Sequence, residues 1–284
     1  MFRILSKEKL APLTVCLQIE APEIARKACA GQFVIIRLDE TGERIPLTLA
    51  DFDKEAGTIT LVFQEVGKTT KKLATFSEND FLVDVAGPLG KPSEISKVGS
   101  VLCAGGGVGV AAIYPIARAF SQAGNKVIGV MGFRNIEFIL FENEMREVCD
   151  ELYISTDDGS HGFEGFASQL VEEILTQEKV DLAYAVGPTP MMQAVCETTR
   201  PFHVKTLVSL NPIMVDGTGM CGACRVSVGG ETKFCCVDGP DFDGHQVDFN
   251  LLATRQRMYL KEEKLALEHY QTKKKGKGYW KVKS

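Results

Sequence analysis

The sequence lacks any excess of positive charge. Its 32 Lys and Arg stand against 37 Asp and Glu, a formal net charge of −5. Without a concentrated positive field, nucleic acid is not expected as the main partner. A secretory leader is missing as well, because Met1-Phe2-Arg3-Ile4-Leu5-Ser6-Lys7 turns polar too early. A reducing, cytoplasmic compartment is therefore expected, and clustered thiols are read first as metal ligands. No membrane span is expected. Residues 101–117 carry no charge, but Gly105, Gly106, Gly107, Gly109 and Pro115 interrupt them, and the run falls short of the ~20 apolar residues that a bilayer needs. Internal repeats and low-complexity tracts are absent too. What remains is an ordinary globular mixture, 45% apolar and 24% charged over 284 residues, which excludes wholesale disorder and is enough for two or more compact units.

The rhythm of the chain changes twice. Thr14–Ile19, Gln32–Leu38, Thr58–Phe63 and Phe81–Ala86 are short runs rich in β-branched and aromatic residues, separated by turn formers. They predict a small antiparallel β-barrel over 1–97, with Thr70–Phe76 as its one helix. From 98 to 205, strands at 101–104, 126–131, 151–155 and 182–186 alternate with helices at 110–123, 142–149, 165–176 and 190–199. That alternation predicts an α/β domain with a parallel sheet covered on both faces. Residues 206–284 read as short β pieces, cysteine-rich loops and a charged helix around 251–270. The final stretch, 273–284, holds six Lys and no acid; it is read as a solvated end, with docking to an acidic partner surface as the second reading.

Nine Cys, an odd number, cannot all close into internal disulfides, and four of them crowd into Cys221-Gly222-Ala223-Cys224 and Cys235-Cys236. Zinc usually takes two spaced pairs. Here the second pair is adjacent, and on an extended segment adjacent side chains point to opposite faces. Three thiolates are then available. Plant-type [2Fe–2S] loops run C-x4-C-x2-C with a distant fourth Cys. Against that spacing Asp216 takes the first position, Cys221 and Cys224 the next two, and Cys235 or Cys236 the last. Asp216 alternatively reads as an Asx-turn residue in a glycine loop.

Two turns carry a nucleotide signal. Gly105-Gly106-Gly107-Val108-Gly109 follows a strand and opens a helix, presenting backbone N–H groups where a pyrophosphate is favoured. Gly187-Pro188-Thr189-Pro190-Met191 repeats the arrangement, and turns at strand C-terminal ends converge on one crevice. In the barrel, Arg44-Ile45-Pro46-Leu47-Thr48 and Gly67-Lys68-Thr69-Thr70 each join a cation and a hydroxyl to turn geometry, which suits a flat, phosphate-bearing cofactor such as a flavin. Each of these has a bland alternative: a packing turn, a surface Arg or a helix cap. After the second strand of the α/β unit comes Arg134, with no acidic residue at the strand end, so the residues leave NAD and NADP open.

Taken in order, these motifs resemble the ferredoxin reductase-like electron-transfer subunits over nearly the whole chain. Residues 216–224 and 236–245 are most similar to the small subunits of electron-bifurcating NADH-dependent reduced ferredoxin:NADP⁺ oxidoreductases, also known as sulfide dehydrogenase subunits. The electron-transfer subunit of dihydroorotate dehydrogenase, which would carry Cys at 216, is the related branch. The resemblance implies FAD in the barrel, NAD(H) on the α/β domain, and a [2Fe–2S] cluster on Asp216, Cys221, Cys224 and Cys236, with Cys235 a departure. It implies no general acid or base. It also implies a heterodimer with a larger subunit that carries its own FAD and [4Fe–4S] clusters and serves ferredoxin and NADP(H). A zinc-bearing nucleotide-sensing module is the remote alternative. Asp243 and His245 are read as flavin or partner contacts, or equally as a structural cap.

Overall fold

In the computed structural model residues 1–276 are described, with side chains through 272; most of the Lys-rich stretch 273–284 lies outside them. The N-terminal unit is a seven-stranded antiparallel sheet in the order β6-β1-β2-β5-β4-β3-β7. Its strands are β1 (Phe2–Ala11), β2 (Thr14–Glu20), β3 (Phe33–Arg37), β4 (Arg44–Asp53), β5 (Thr58–Gln64), β6 (Phe81–Leu82) and β7 (Asp84–Leu89). Period-two alternation sends Val15, Leu17 and Ile19 of β2 and Ile59, Leu61 and Phe63 of β5 into one core with Val34, Ile36 and Leu73. β4 is split between partners: Arg44–Thr48 pair with β3, and Leu49–Asp53 with β5 across a bulge. Pro46 falls in the first half, where one strand edge is unpaired and a missing N–H costs nothing.

The expected barrel helix is α2 (Lys68–Leu73), and a further short helix, α1 (Pro22–Ala25), occupies what read as a turn. There Pro22 takes the first helical position, where its absent N–H is harmless.

The second sheet runs β11-β10-β9-β8-β12-β13-β16. Its parallel strands are β8 (Ser100–Gly106), β9 (Lys126–Phe133), β10 (Glu151–Thr156), β11 (Phe163–Glu164), β12 (Leu182–Val186) and β13 (Lys205–Ser209). Helices α3 (Gly109–Gln122) and α4 (Glu142–Val148) pack one face, and α5 (Ala167–Gln177) and α6 (Thr189–Thr199) the other. From β8 the chain winds outward to β9 and β10, then returns to β12 on the opposite side. The turns after β8 and β12 therefore meet at the topological switch point.

Across residue 205 the sheet continues into β13, which pairs in parallel with β12 through Val208. The C-terminal unit then adds β16 (Asp241–Asp243) antiparallel to β13, so one sheet spans both regions. The rest of that unit is a hairpin, β14 (Arg225–Val228) and β15 (Glu231–Phe234), a helical turn α7 (Cys235–Asp238), and two helices where one was expected, α8 (Phe249–Gln256) and α9 (Leu260–Gly276).

Two polar clasps join the units. Arg118 of α3 pairs with Asp51 of β4 at 2.5 Å and lies 5.0 Å over the Tyr114 ring. Ser93, in the connection between the first two units, donates to Asp241 at 2.6 Å and lies 3.1 Å from the buried Tyr184 hydroxyl. No helix of the described residues is long and apolar enough to cross a membrane.

Candidate functional site

The glycine turn after β8 is set by packing. A Cβ on Gly109 would lie 2.4 Å from the Val186 carbonyl oxygen, and one on Gly105 would meet Val110 and Ile113 at 2.9 Å. Gly107 is different: it holds φ +53° and has nothing within 4 Å of a Cβ position. Its Cα therefore borders open space at the head of a fourteen-residue helix, while its own N–H donates to the Gly132 carbonyl at 2.9 Å.

Two cavities meet on this edge. The first, about 550 Å³, is walled by Gly106, Gly107, Val108, Pro188 and Met191 and by side chains after β9 and β10. Its charged lining residues are Arg134 and Asp157, and Arg134 lies 5.5 Å over the Phe138 ring. The second, about 480 Å³, shares Gly106–Val108 and Pro188, and adds Gly109 and Gly187. Its barrel wall includes Pro46, Leu47, Thr48 and Thr70, and its far wall Ser209, Pro212, Met214 and Pro240. Both volumes lie within the roughly 300–1,000 Å³ typical of cofactor pockets.

Several expected residues lie elsewhere. Gly105 is enclosed within β8. Arg44 is exposed and makes no ion pair or hydrogen bond among the described residues, which leaves its cation free two positions from Pro46. Gly67 caps α2, donating its N–H to Thr70 Oγ1 at 3.0 Å. Lys68 Nζ is engaged by Glu43 at 3.0 Å, and Thr69 Oγ1 donates to the same carboxylate. In this arrangement the cation and one hydroxyl of Gly67–Thr70 turn toward a protein anion.

Sequence reasoning missed Asp157. The acid absent after β9 is supplied after β10, in the turn Asp157-Asp158-Gly159. An acid–glycine turn directly following a strand was the available signal. The inward wall of the second cavity, Ser209–Met214, was also missed because that segment carries no recognisable motif.

The cysteine-rich loop abuts this wall, two residues beyond Met214. Gly217, at φ +75°, packs so closely on the barrel that a Cβ would meet Leu89 at 2.7 Å and Ile35 at 2.8 Å. Asp216 accepts from the Thr218 N–H and the Cys221 N–H, both at 2.8 Å. These bonds, that to Thr218 foremost, hold its carboxyl below the usual range. The Cys224 and Cys236 sulfurs lie 3.1 Å apart, and the Cys236 N–H points at Cys224 Sγ at 3.5 Å. Burial pushes the Cys236 thiol up to about 12, so its deprotonation is tied to metal capture.

Cys235 turns away and contacts the Leu210 carbonyl at 3.4 Å. Cys235 and Cys236 diverge as expected, but on the helical turn α7 and not on an extended segment. Among the described residues, no three His, Cys, Asp or Glu side chains converge on a single-ion site. Of the four expected ligands, Cys224 and Cys236 meet sulfur to sulfur, and Asp216 accepts from the Cys221 main chain.

His245 and Asp243 take structural roles. His245 Nε2 is 3.0 Å from Thr199 Oγ1, and Asp243 accepts from the His245 N–H at 3.0 Å.

Known proteins resemble this chain at three levels: a family model, individual relatives and solved structures. The iron-sulfur cluster binding domain of dihydroorotate dehydrogenase B matches residues 211–248. A Thermotoga maritima protein named dihydroorotate dehydrogenase B (NAD(+)), electron transfer subunit homolog, is 47% identical over 267 residues, covering 94% of each chain. The Bacillus caldolyticus electron transfer subunit is 34% identical over 255 residues, 86% of this chain and 96% of its own. Among solved structures, an NADH-dependent reduced ferredoxin-NADP oxidoreductase, described in connection with flavin-based electron bifurcation, superposes with a TM-score of 0.91 at 46% identity. That match covers 95% of this chain and 98% of the other. Phthalate dioxygenase reductase, at 17% identity and a TM-score of 0.59, shares the fold.

Proposed function

Since this chain belongs to the family of dihydroorotate dehydrogenase B electron transfer subunits and their homologues, we propose that it carries electrons from NADH through FAD to a [2Fe–2S] cluster. It does so as the smaller subunit of a bifurcating NADH/ferredoxin:NADP⁺ oxidoreductase. One observation carries this reading. The two cavities share the Gly106–Val108 edge, and the second is lined by Pro212 and Met214, the segment that leads two residues later into the candidate ligand loop at Asp216.

The residues present fit the groups. When bound, a flavin supplies the change from two-electron to one-electron transfer and the cluster a single-electron exit. The chain's own part is to position and to exclude water. Gly107 and the α3 N-terminus would face pyrophosphate, Pro46, Leu47, Thr48 and Thr70 would cover a flat ring, and the exposed Arg44 is free for a phosphate. Arg134, Met191, Gly187 and Pro188 would hold the nicotinamide nucleotide. There Asp157 would accept from a free 2′-hydroxyl, and its charge would oppose a 2′-phosphate. Asp216, Cys221, Cys224 and Cys236 would hold the two irons, with the carboxylate as the harder donor.

The chain is the electron-transfer member of a larger complex. A partner with its own FAD and [4Fe–4S] clusters, serving ferredoxin and NADP(H), is part of the proposal. A second reading, delivery of electrons to dihydroorotate oxidation, is favoured by the match over 211–248; Asp in place of Cys at 216 weighs against it.

The test is the purified protein's absorption and metal content, with Asp216→Cys beside it. Flavin and iron–sulfur bands are expected, along with a changed cluster spectrum and potential in the variant. A folded, colourless protein or one holding zinc overturns the reading, and an unchanged spectrum takes the carboxylate off iron.

A further inference from the structure

Three consecutive carbonyls between the candidate ligands are captured from outside the loop. Arg225 Nη1 donates to the Gly222 carbonyl at 2.9 Å. Arg255 Nη2, from α8, donates to the Ala223 carbonyl at 3.1 Å. The Cys224 carbonyl accepts from the Cys235 N–H at 3.1 Å. In a trans peptide the C=O and the following N–H point in opposite directions. Each captured carbonyl therefore turns the next amide toward the other side of the loop. The Ala223 and Cys224 amides donate to no main-chain acceptor among the described residues.

The two arginines differ in surroundings. Arg225 is exposed, whereas Arg255 is half-buried and its Nε is enclosed without a partner. No carboxylate pairs with Arg255 among the described residues. A guanidinium withdrawn from water without a counter-charge is costly. Across the Ala223–Cys224 peptide, the anionic set of Asp216 and the three thiolates provides that counter-charge.

We propose that Arg255 is a positioning residue for the iron–sulfur centre: it turns the Cys224 amide toward the ligand side and fixes a positive charge beside it. Both effects favour the reduced, more negative state of the centre, through hydrogen bonds to sulfur and through charge. This rests on the function proposed above.

The test is a potentiometric titration followed by electron paramagnetic resonance on the full chain carrying its cofactors. At a fixed ambient potential, R255M is expected to lower the reduced-to-oxidised ratio of the cluster at least tenfold, with altered g-anisotropy and unchanged iron content. R255K should fall between, since an ammonium keeps the charge but not the planar fork. R225M, at the exposed partner, should move the ratio less. A fully loaded R255M with the wild-type ratio and spectrum overturns the proposal, even if it melts at a lower temperature. If R255M does not retain iron, R255Q decides, because it keeps a donor for Ala223 without the charge; a wild-type ratio there removes the electrostatic role. A wild-type chain without iron–sulfur signals would instead overturn the underlying function.

Discussion

At the switch point of the α/β sheet, a Cβ on Gly109 would sit 2.4 Å from a backbone oxygen of the neighbouring strand turn. In the ligand loop, Gly217 combines φ +75° with a barrel surface less than 3 Å from where a Cβ would stand. In the proposed function the first region would recognise its ligand with main chain, and it owes its shape to two layers packed on a sheet. The second would recognise with four side chains, and it owes its shape to local turns. Function in the first is therefore spread over many contacts and inseparable from stability. In the second it is concentrated in single atoms, and can be removed while the fold remains.

The sharpest test of that contrast is Cys224→Ser. Cys224 is buried 3.1 Å from the Cys236 sulfur, and an alcohol is a far poorer ligand than a thiolate. Iron content should fall more than tenfold, while flavin content and the cooperative unfolding transition persist. Loss of flavin together with iron would show that the ligand loop and the cavity are one cooperative unit, and would break the comparison.

Gly109→Ala probes the other side, with a smaller effect. On helix propensity alone the change should gain about 1 kcal/mol. Against this, the contact with Val186 forces β12 and α3 apart, and overpacking of this kind costs about 1–3 kcal/mol. Denaturant unfolding should therefore show a net loss of stability with weakened dinucleotide binding, but unchanged iron per folded chain. A stabilised variant would mean that the turn yields and that packing does not set it.

The same contrast governs what could be read from sequence. The alternation of strands and helices over 98–205 is periodic, so its four longer strands and four helices were legible to within a few residues, whereas the two-residue β11 was not. The proposed ligand set could be named from sequence because Asp216, Cys221 and Cys224 are close together, and spacing is a local property. Pairing between distant segments was not legible: nothing in Lys205–Ser209 announces that it completes a sheet with β12, or that Asp241 crosses to Ser93. Strands β1 and β4 were missed for a related reason. β1 interrupts its apolar residues with the consecutive charges Lys7, Glu8 and Lys9, and β4 was read only for its Arg-Ile-Pro-Leu-Thr motif. The capture of Lys68 and Thr69 by Glu43 joins the start of α2 to a loop that only the folded barrel brings beside it.

The smallest expected effect separates the two regions by pH. In the α/β unit, burial pushes the Cys149 thiol up to about 12 from an ordinary 9.0. An acid whose folded value is raised contributes stability that is fully present below its unfolded value, and that contribution is lost as pH climbs from 9.0 toward about 12. In the ligand loop, the Thr218 and Cys221 amides hold Asp216 below its ordinary 3.8. Its contribution is present above 3.8 and fades as pH falls through the lowered folded value. Hydrogen exchange on the metal-free protein should accordingly show residues 216–224 loosening first on the acid side, whereas on the alkaline side β10 and α4 should loosen together with α7, where burial raises Cys236 in the same way. Cys149→Ala should remove only the Cys149 share of the alkaline limb, with those of Cys16, Cys196 and Cys236 remaining, and leave the acid limb unchanged. If both regions instead opened together at both extremes, one cooperative unit would span them, and the separation between packed and ligand-built function would not extend to their stability.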